Sequence, residues 1–226
     1  MKQGGSDAAK RAAGESAAEA VEDGLVVGLG TGSTAAHAIR AIGRQVDAGL
    51  DVTGVATSFQ SRALARECEI PLADLDEVSV DLAIDGADEV AGGDLIKGGG
   101  AAHAREKVVD AAADRFLVVA DPTKEAETLS VPVPVEVLPA ARTTVAAAVE
   151  ELGGEPRLRA AERKDGPVVT DNGNLVLDCD LGAIDEPATV ARHLADTPGV
   201  VEHGLFVGLA DEIHVGREDG VSVREP

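Results

Sequence analysis

The chain has 226 residues, 44% of them hydrophobic, which suffices for a sizeable core; with no Trp, no Tyr and three Phe, alanine and aliphatic side chains must fill it. Its 41 Asp and Glu against 20 Lys and Arg leave a net charge of −21, which repels phosphate backbones and anionic bilayers and so excludes nucleic acid and membrane as partners. Two cysteines, Cys68 and Cys179, make no disulfide framework and read as small buried hydrophobes.

The acids are spread among regular apolar runs, so the charge does not signal disorder. With only six Lys, it reads as adaptation to a salty cytosol. Met1–Glu22 is polar and Ala-rich, without a signal-peptide core, and no apolar run is long enough to span a bilayer. The expected location is the cytoplasm.

In chain order, Ser6 caps a predicted Ala-rich helix to Val21. Leu25–Leu29 is a strand, Gly30–Thr34 a loop, and Ala35–Val46 a helix. Val52–Ala56 is a second strand, followed by a helix that Ser58 caps and that runs to Arg66. Val80–Ile84 and Phe116–Ala120 are strands, with a helix over Ala101–Ala112 between them. This alternation predicts a parallel sheet covered on both faces. The texture then changes. Val131–Val135 carries two prolines and is excluded as a central parallel strand. A helix over Ala140–Leu152 follows, then a hairpin of Val168–Thr170 and Leu175–Leu177 around Asp171–Asn174, and a helix over Ala188–Ala195. The expected fold is α/β: a parallel-sheet Rossmann-like domain (1–128 plus 200–226) with a smaller α+β domain (129–199) inserted near the C-terminus.

Five segments carry candidate chemistry. Gly28–Thr34 joins a strand to a helix and offers backbone N–H groups to an anion. It lacks the Gly-Lys of a P-loop and the third glycine of a dinucleotide fingerprint, but Thr31, Ser33 and Thr34 with Gly32 suit a single phosphate. Asp85-Gly86-Ala87-Asp88-Glu89 follows a strand; its acids suit sugar hydroxyls, a hard cation such as magnesium, or a helix cap. Lys97-Gly98-Gly99-Gly100 frees the backbone around a cation, where a ligand can approach closely; the bland alternative is a solvated lysine in a floppy loop. Arg105-Glu106-Lys107 reads by itself as a solvated helix face, with His103 a surface residue beside it. Lys124 sits just past a strand end, placed either to neutralise a phosphate or to be a solvated loop lysine.

Together these segments resemble type A ribose-5-phosphate isomerase. The resemblance runs through Val27–Ala36, Asp85–Glu89, Ile96–Ala102, Arg105–Lys107, Pro134–Val137, Thr170–Asn174, Gly199–Val201 and Gly204–Phe206, in the family's order and over nearly the whole chain. It implies a two-domain α/β fold, no metal, no cofactor, a small sugar-phosphate substrate, and a homodimer or homotetramer. It implies that Thr31–Thr34, Asp85–Asp88, Lys97–Gly100 and Lys124 bind substrate and that Glu106 is the catalytic base. His103-Ala104, where the family often has Leu-Thr, and an apparent insertion at Ala161–Gly166 depart from it.

The implied reaction moves a proton between C1 and C2 through an enediolate. A positioned Glu can carry that proton. Lys97 and the glycine amides can meet the growing negative charge, while Asp85 and Asp88 handle hydroxyl protons and ring opening. Rivals are a sugar-phosphate-sensing module of similar fold, a sugar-phosphate deaminase and a CoA transferase. The sensing module would need a DNA-binding helix pair or a basic face, and at −21 the chain shows neither.

Overall fold

The computed structural model describes residues 5–226; Met1–Gly4, the start of the polar N-terminal stretch, lie outside the described residues. Ser6 caps α1 (Asp7–Ala18) by accepting the Ala9 N–H at 3.2 Å. The helix ends at Ala18 rather than Val21, because the Ala20 and Val21 N–H groups turn to Ala17 and Ala18 in a tighter last turn. There follow β1 (Val26–Leu29), α2 (Ala35–Asp47), β2 (Thr53–Ala56), α3 (Phe59–Glu67), β3 (Leu82–Gly86), β4 (Glu89–Ala91), β5 (Asp94–Ile96), α4 (His103–Ala112) and β6 (Arg115–Ala120). A one-turn 3-10 helix, Pro122–Lys124, leads to β7 (Val133–Val137), α5 (Arg142–Glu151), β8 (Glu155–Leu158), β9 (Leu175–Asp180), α6 (Pro187–Ala195), β10 (Val200–His203), β11 (Leu205–Phe206), β12 (Glu212–Arg217) and β13 (Gly220–Arg224). Ser58 and Ser61 form a reciprocal capping box that starts α3 as expected.

The chain forms two compact units. The first holds residues up to Ala87, Arg105–Glu125 and Gly208–Pro226; the second holds Asp88–Ala104 and Ala126–Val207. In the first, the strands lie in the order β13-β12-β6-β3-β1-β2. All neighbours are parallel except β13, which turns back antiparallel on β12. This is the mostly parallel sheet the alternating pattern predicts. Its core is Val27, Leu29, Ile39, Ile42, Leu82, Ile84, Leu117 and Val119, joined by the buried alanines of α1 and α2.

The second unit has its own core around Val133, Val135, Val137, Val145, Val149, Leu177 and Leu205. It contains a sheet of order β10-β7-β9-β8 and a small sheet of order β11-β5-β4. Its bounds correct the expected 129–199. Residues 88–104 belong to it because β4 and β5 form an antiparallel hairpin absent from the sequence reading, and 200–207 belong because β11 pairs with β5 and β10 with β7.

The proline-rich stretch excluded as a central parallel strand supplies β7, an inner strand of an antiparallel sheet. Pro134 is tolerated because its backbone faces Gly204, whose N–H donates to the Pro134 carbonyl at 2.7 Å and whose own carbonyl takes the Lys97 N–H at 2.8 Å, so no donor is missed on that side. Opposite Asp178 on β9 it then occupies a non-hydrogen-bonded position, where no N–H is needed. The predicted hairpin keeps its turn, closed by Thr170 N–H to Asn174 O and Gly173 N–H to Thr170 O, both at 2.9 Å. Its first arm forms only isolated bridges, and the strand partners of β9 are β7 and β8. Cys179 is buried and burial pushes its thiol up to about 12, while Cys68 is half-buried; both are free.

The net charge of −21 must repel itself at low ionic strength. The screening length falls to about 3 Å at 1 M salt. Thermal melts are therefore expected to shift upward from dilute buffer to molar KCl; a flat or falling midpoint would contradict the salt-adapted reading.

Candidate active site

In the first unit, β1, β3 and β6 are neighbours, so the loops leaving their carboxyl ends share one sheet edge. Ligands of parallel α/β sheets sit at that edge. The loop Gly30–Thr34 leaves β1 there. Gly30 has no substitute: a Cβ on it would lie 2.2 Å from Asp85 Oδ1 at the end of β3. That oxygen accepts the Thr31 N–H at 2.9 Å and the Gly86 N–H at 2.6 Å, so Asp85 braces the loop from beneath. The Thr31 hydroxyl turns inward to Thr57 Oγ1 at 2.9 Å and donates to Ser58 Oγ at 2.7 Å. The expectation that it serves a phosphate is thereby narrowed to its backbone. Ser33 is exposed, and Thr34 makes no cap bond at the start of α2, which leaves these hydroxyls beside the helix N-terminus.

α4 precedes β6 and runs antiparallel to the strands, so its first turn is at the same edge. Glu106 is in that turn. Three residues on, Val109 meets the sheet, within 2.8 Å of where a Gly28 Cβ would stand. Glu106 shares that inward face and is 4% exposed, which overturns the solvated-face reading of Arg105–Lys107. Arg105 is half-buried and lies over the Phe59 ring at 5.2 Å.

Lys124 closes the 3-10 turn after β6. Asp121 caps this turn by accepting the Thr123 N–H at 2.9 Å and its hydroxyl at 2.5 Å. Burial pushes the Asp121 carboxyl up, but bonds from Thr123 and Gly5 and the Lys124 charge outweigh it and hold the group below its ordinary range. Lys124 is half-buried on a fixed turn, not a solvated loop lysine.

In the second unit, Asp88 Oδ2 accepts the Gly99 N–H at 2.6 Å. Glu89 accepts the Ser130 N–H at 2.5 Å and the Val131 N–H at 3.0 Å. Asp88 and Glu89 thus brace different backbone amides, and among the described residues no group of three or more His, Cys, Asp or Glu could hold a metal. Lys97 is 2% exposed, its ammonium 5.3 Å from the centroid of the Phe206 ring, so the floppy-loop alternative fails. Gly98 has a φ of +105°, and a Cβ there would lie 2.7 Å from His103 Nδ1.

His103 corrects the sequence reading. It is fully buried, and its Nε2 accepts the Glu136 N–H at 3.1 Å. Glu136 in turn holds Thr170, Asn172 and Asn174 on Oε1 at 2.9, 3.0 and 2.8 Å, fastening the turn of the Thr170–Asn174 motif. Arg159, passed over in the sequence, donates to the carbonyls of Gly98 at 2.8 Å and Gly99 at 3.2 Å.

The model of the family described as ribose 5-phosphate isomerase A (phosphoriboisomerase A) matches residues 53–220. The chain belongs to the ribose 5-phosphate isomerase A family. Ribose-5-phosphate isomerase A of Haloarcula marismortui is 82% identical over 224 residues, 99% of this chain and 98% of the relative. That of Halobacterium salinarum is 62% identical over the full length of both. Among solved structures, ribose 5-phosphate isomerase A of Methanocaldococcus jannaschii superposes with a TM-score of 0.93 at 44% identity, covering 96% of this chain and 98% of the other. A D-ribose-5-phosphate isomerase in complex with phospho-erythronic acid gives 0.94 at 41% identity, covering 96% and 97%. Within this isomerase family frame, His103 is a packing residue behind the glycine loop, and the apparent insertion 161–166 closes on itself through the Ala161 N–H to the Gly166 carbonyl at 3.0 Å.

Proposed function

We propose that the chain interconverts D-ribose 5-phosphate and D-ribulose 5-phosphate through an enediolate, with Glu106 carrying the proton. The observation that carries the residue assignment is Glu106 itself, buried in the first turn of α4 at the carboxyl edge of the sheet, where the Gly30–Thr34 loop and Lys124 also stand. Glu106 takes the hydrogen from C2 of the open-chain aldose, and the electron pair becomes the C1–C2 double bond. A proton passes from O2 to O1. Glu106 returns its proton to C1, and O2 becomes the carbonyl of the ketose.

Negative charge grows on oxygen during this transfer. Lys97 and the amides of Gly98–Gly100 are the groups whose chemistry meets it. Asp85 and Asp88 exchange hydroxyl protons and assist opening of the furanose ring, beside their bracing of Thr31 and Gly99. The amides of Thr31–Thr34, the Ser33 and Thr34 hydroxyls and Lys124 take the phosphate, while Gly86 and Ala87 carry the backbone past the sugar. Fixing the phosphate lets binding energy far from C1 and C2 position them. The work is assigned to the cytoplasm, in the non-oxidative part of pentose phosphate metabolism, and to a homodimer or homotetramer, as the family resemblance implies. Among the described residues, no helix is long and apolar enough to cross a membrane.

The test is formation of ribulose 5-phosphate from ribose 5-phosphate in molar KCl with EDTA present throughout. Turnover is expected without any added metal, and phospho-erythronic acid should compete with substrate. Binding without turnover would favour the sensing module; activity that vanishes in EDTA and returns with magnesium would overturn the metal-free route. In the same assay Lys124→Ala is expected to raise KM for ribose 5-phosphate more than it lowers kcat, because a phosphate anchor holds ground and transition states alike. An unchanged KM would remove Lys124 from the phosphate site.

A further inference from the structure

A loop of three glycines has no side chains with which to hold itself. Its position must come from outside, and the second unit supplies one device for it. Arg159 Nη1 donates to the carbonyls of both Gly98, at 2.8 Å, and Gly99, at 3.2 Å. Its Nε donates to Asp178 Oδ2 at 2.9 Å, and its Nη2 pairs with the same carboxylate. Asp178 belongs to β9, an inner strand of the four-stranded sheet, and Arg159 is tied to the neighbouring backbone through its N–H to Val176 O and its carbonyl from Val168 N–H, both at 2.9 Å. A guanidinium, with five donors in one rigid plane, can grip a carboxylate through two nitrogens and still serve a pair of carbonyls through the third, a set that the three donors of an ammonium do not match in geometry.

The consequence follows from peptide geometry. In a planar trans peptide the C=O and the next N–H point in opposite directions. Carbonyls of successive residues converging on one nitrogen therefore turn the Gly99 and Gly100 N–H groups away from Arg159. Successive amides on one side of a chain form a nest for an anion. The Gly99 N–H goes to Asp88 Oδ2 at 2.6 Å. The Gly100 N–H meets no acceptor among the described residues. Gly98 O also receives the Ala101 N–H at 2.9 Å, which closes the turn and fixes the loop's exit into α4.

We infer that Arg159 is a positioning residue for the isomerisation: anchored on Asp178, it holds the Gly98 and Gly99 carbonyls so that the Gly100 amide and Asp88 are set toward the sugar oxygens. This rests on the reading above, in which the Lys97–Gly100 loop stabilises the enediolate.

The test is Arg159→Ala and Arg159→Lys in the full chain in molar KCl, with Lys97→Met in parallel. For Arg159→Ala, kcat is expected to fall on the order of 10²-fold, the loss typical of misplacing a catalytic group by about 1 Å. KM should stay nearly unchanged, and amide hydrogen exchange across Gly98–Ala101 should rise. Arg159→Lys, which can reach one carbonyl but not the whole set, should recover part of kcat. A residue that merely anchors β8 and β9 would lower the melting temperature and leave kcat of the folded enzyme intact. Normal kcat and unaltered loop exchange in Arg159→Ala, with Lys97→Met inactive, would overturn the role of Arg159 and leave the loop's role standing. Raised exchange with normal kcat would overturn the assignment of the loop to the chemistry, and the proposal with it. If Arg159→Ala does not fold, Arg159→Lys decides: a reduced kcat at constant KM supports the proposal, and a normal kcat overturns it.

Discussion

Glu106→Gln is expected to keep the fold and to abolish turnover. Gln has nearly the same shape and still hydrogen-bonds, so the buried first turn of α4 should survive the change. It cannot accept a proton from carbon at neutral pH, so the route through the enediolate closes. Loss of general-base catalysis typically costs about 10²–10⁴-fold, and a sole carbon base belongs at or beyond the upper end. Were Glu106 only an ion-pair partner on a solvated face, its removal would change stability by about 0.2–1 kcal/mol and leave the rate alone. At 4% exposure the residue is not on such a face. The variant's kcat, read together with a melting curve matching the parent, separates the two by orders of magnitude.

Lys97→Met should have the second-largest effect. The Lys97 ammonium is buried over Phe206, and methionine fills the same length without the charge. A thioether also packs well beside an aromatic ring. Replacing a buried ionic group with an apolar one of similar volume is often neutral for stability. Fold and melting temperature are therefore expected to hold. Turnover should not, because losing one preorganised donor at a developing oxyanion costs about 10²–10³-fold in kcat. A variant within a few-fold of the parent kcat would remove Lys97 from the chemistry and leave its burial as a packing fact.

Much of this architecture is local in origin and was therefore legible in the sequence. Ser6 and Ser58 announce their helices through caps that need only the next three residues. The unbroken apolar runs of β1, β3 and β6 point to a parallel sheet because a strand covered on both faces has no polar side to alternate. What escaped was made by distant partners or by very short elements. β4 and β5 span three residues each, and the Gly92-Gly93 turn signal between them is masked by the acid-rich run that precedes it. β8 is a mostly exposed edge strand in which Pro156 is tolerated because an outer edge needs no donor. Its polar composition gives it no apolar face to read.

The candidate site divides the same way. Thr31–Thr34, Asp85 and Lys97 stand out through glycine content and position after strands, whereas Glu106 is singled out only by the family resemblance. That Glu106 and His103 are buried was hidden, because a charge triplet and a lone histidine read as surface on a helix until the packing partners are known. Arg159 lies 61 residues from the carbonyl it grips, and nothing local distinguishes it from Arg157, which pairs with Glu155 in the open.

The central claim is that one buried carboxylate moves one proton between neighbouring carbons. It is tested most directly by incubating ribose 5-phosphate in D₂O with the parent chain and with Glu106→Gln, following the substrate C2 hydrogen by NMR. The parent should exchange that hydrogen with solvent as ribulose 5-phosphate forms, and the variant should leave it in place. Exchange and turnover at near-parent rates in Glu106→Gln would contradict the account at its base.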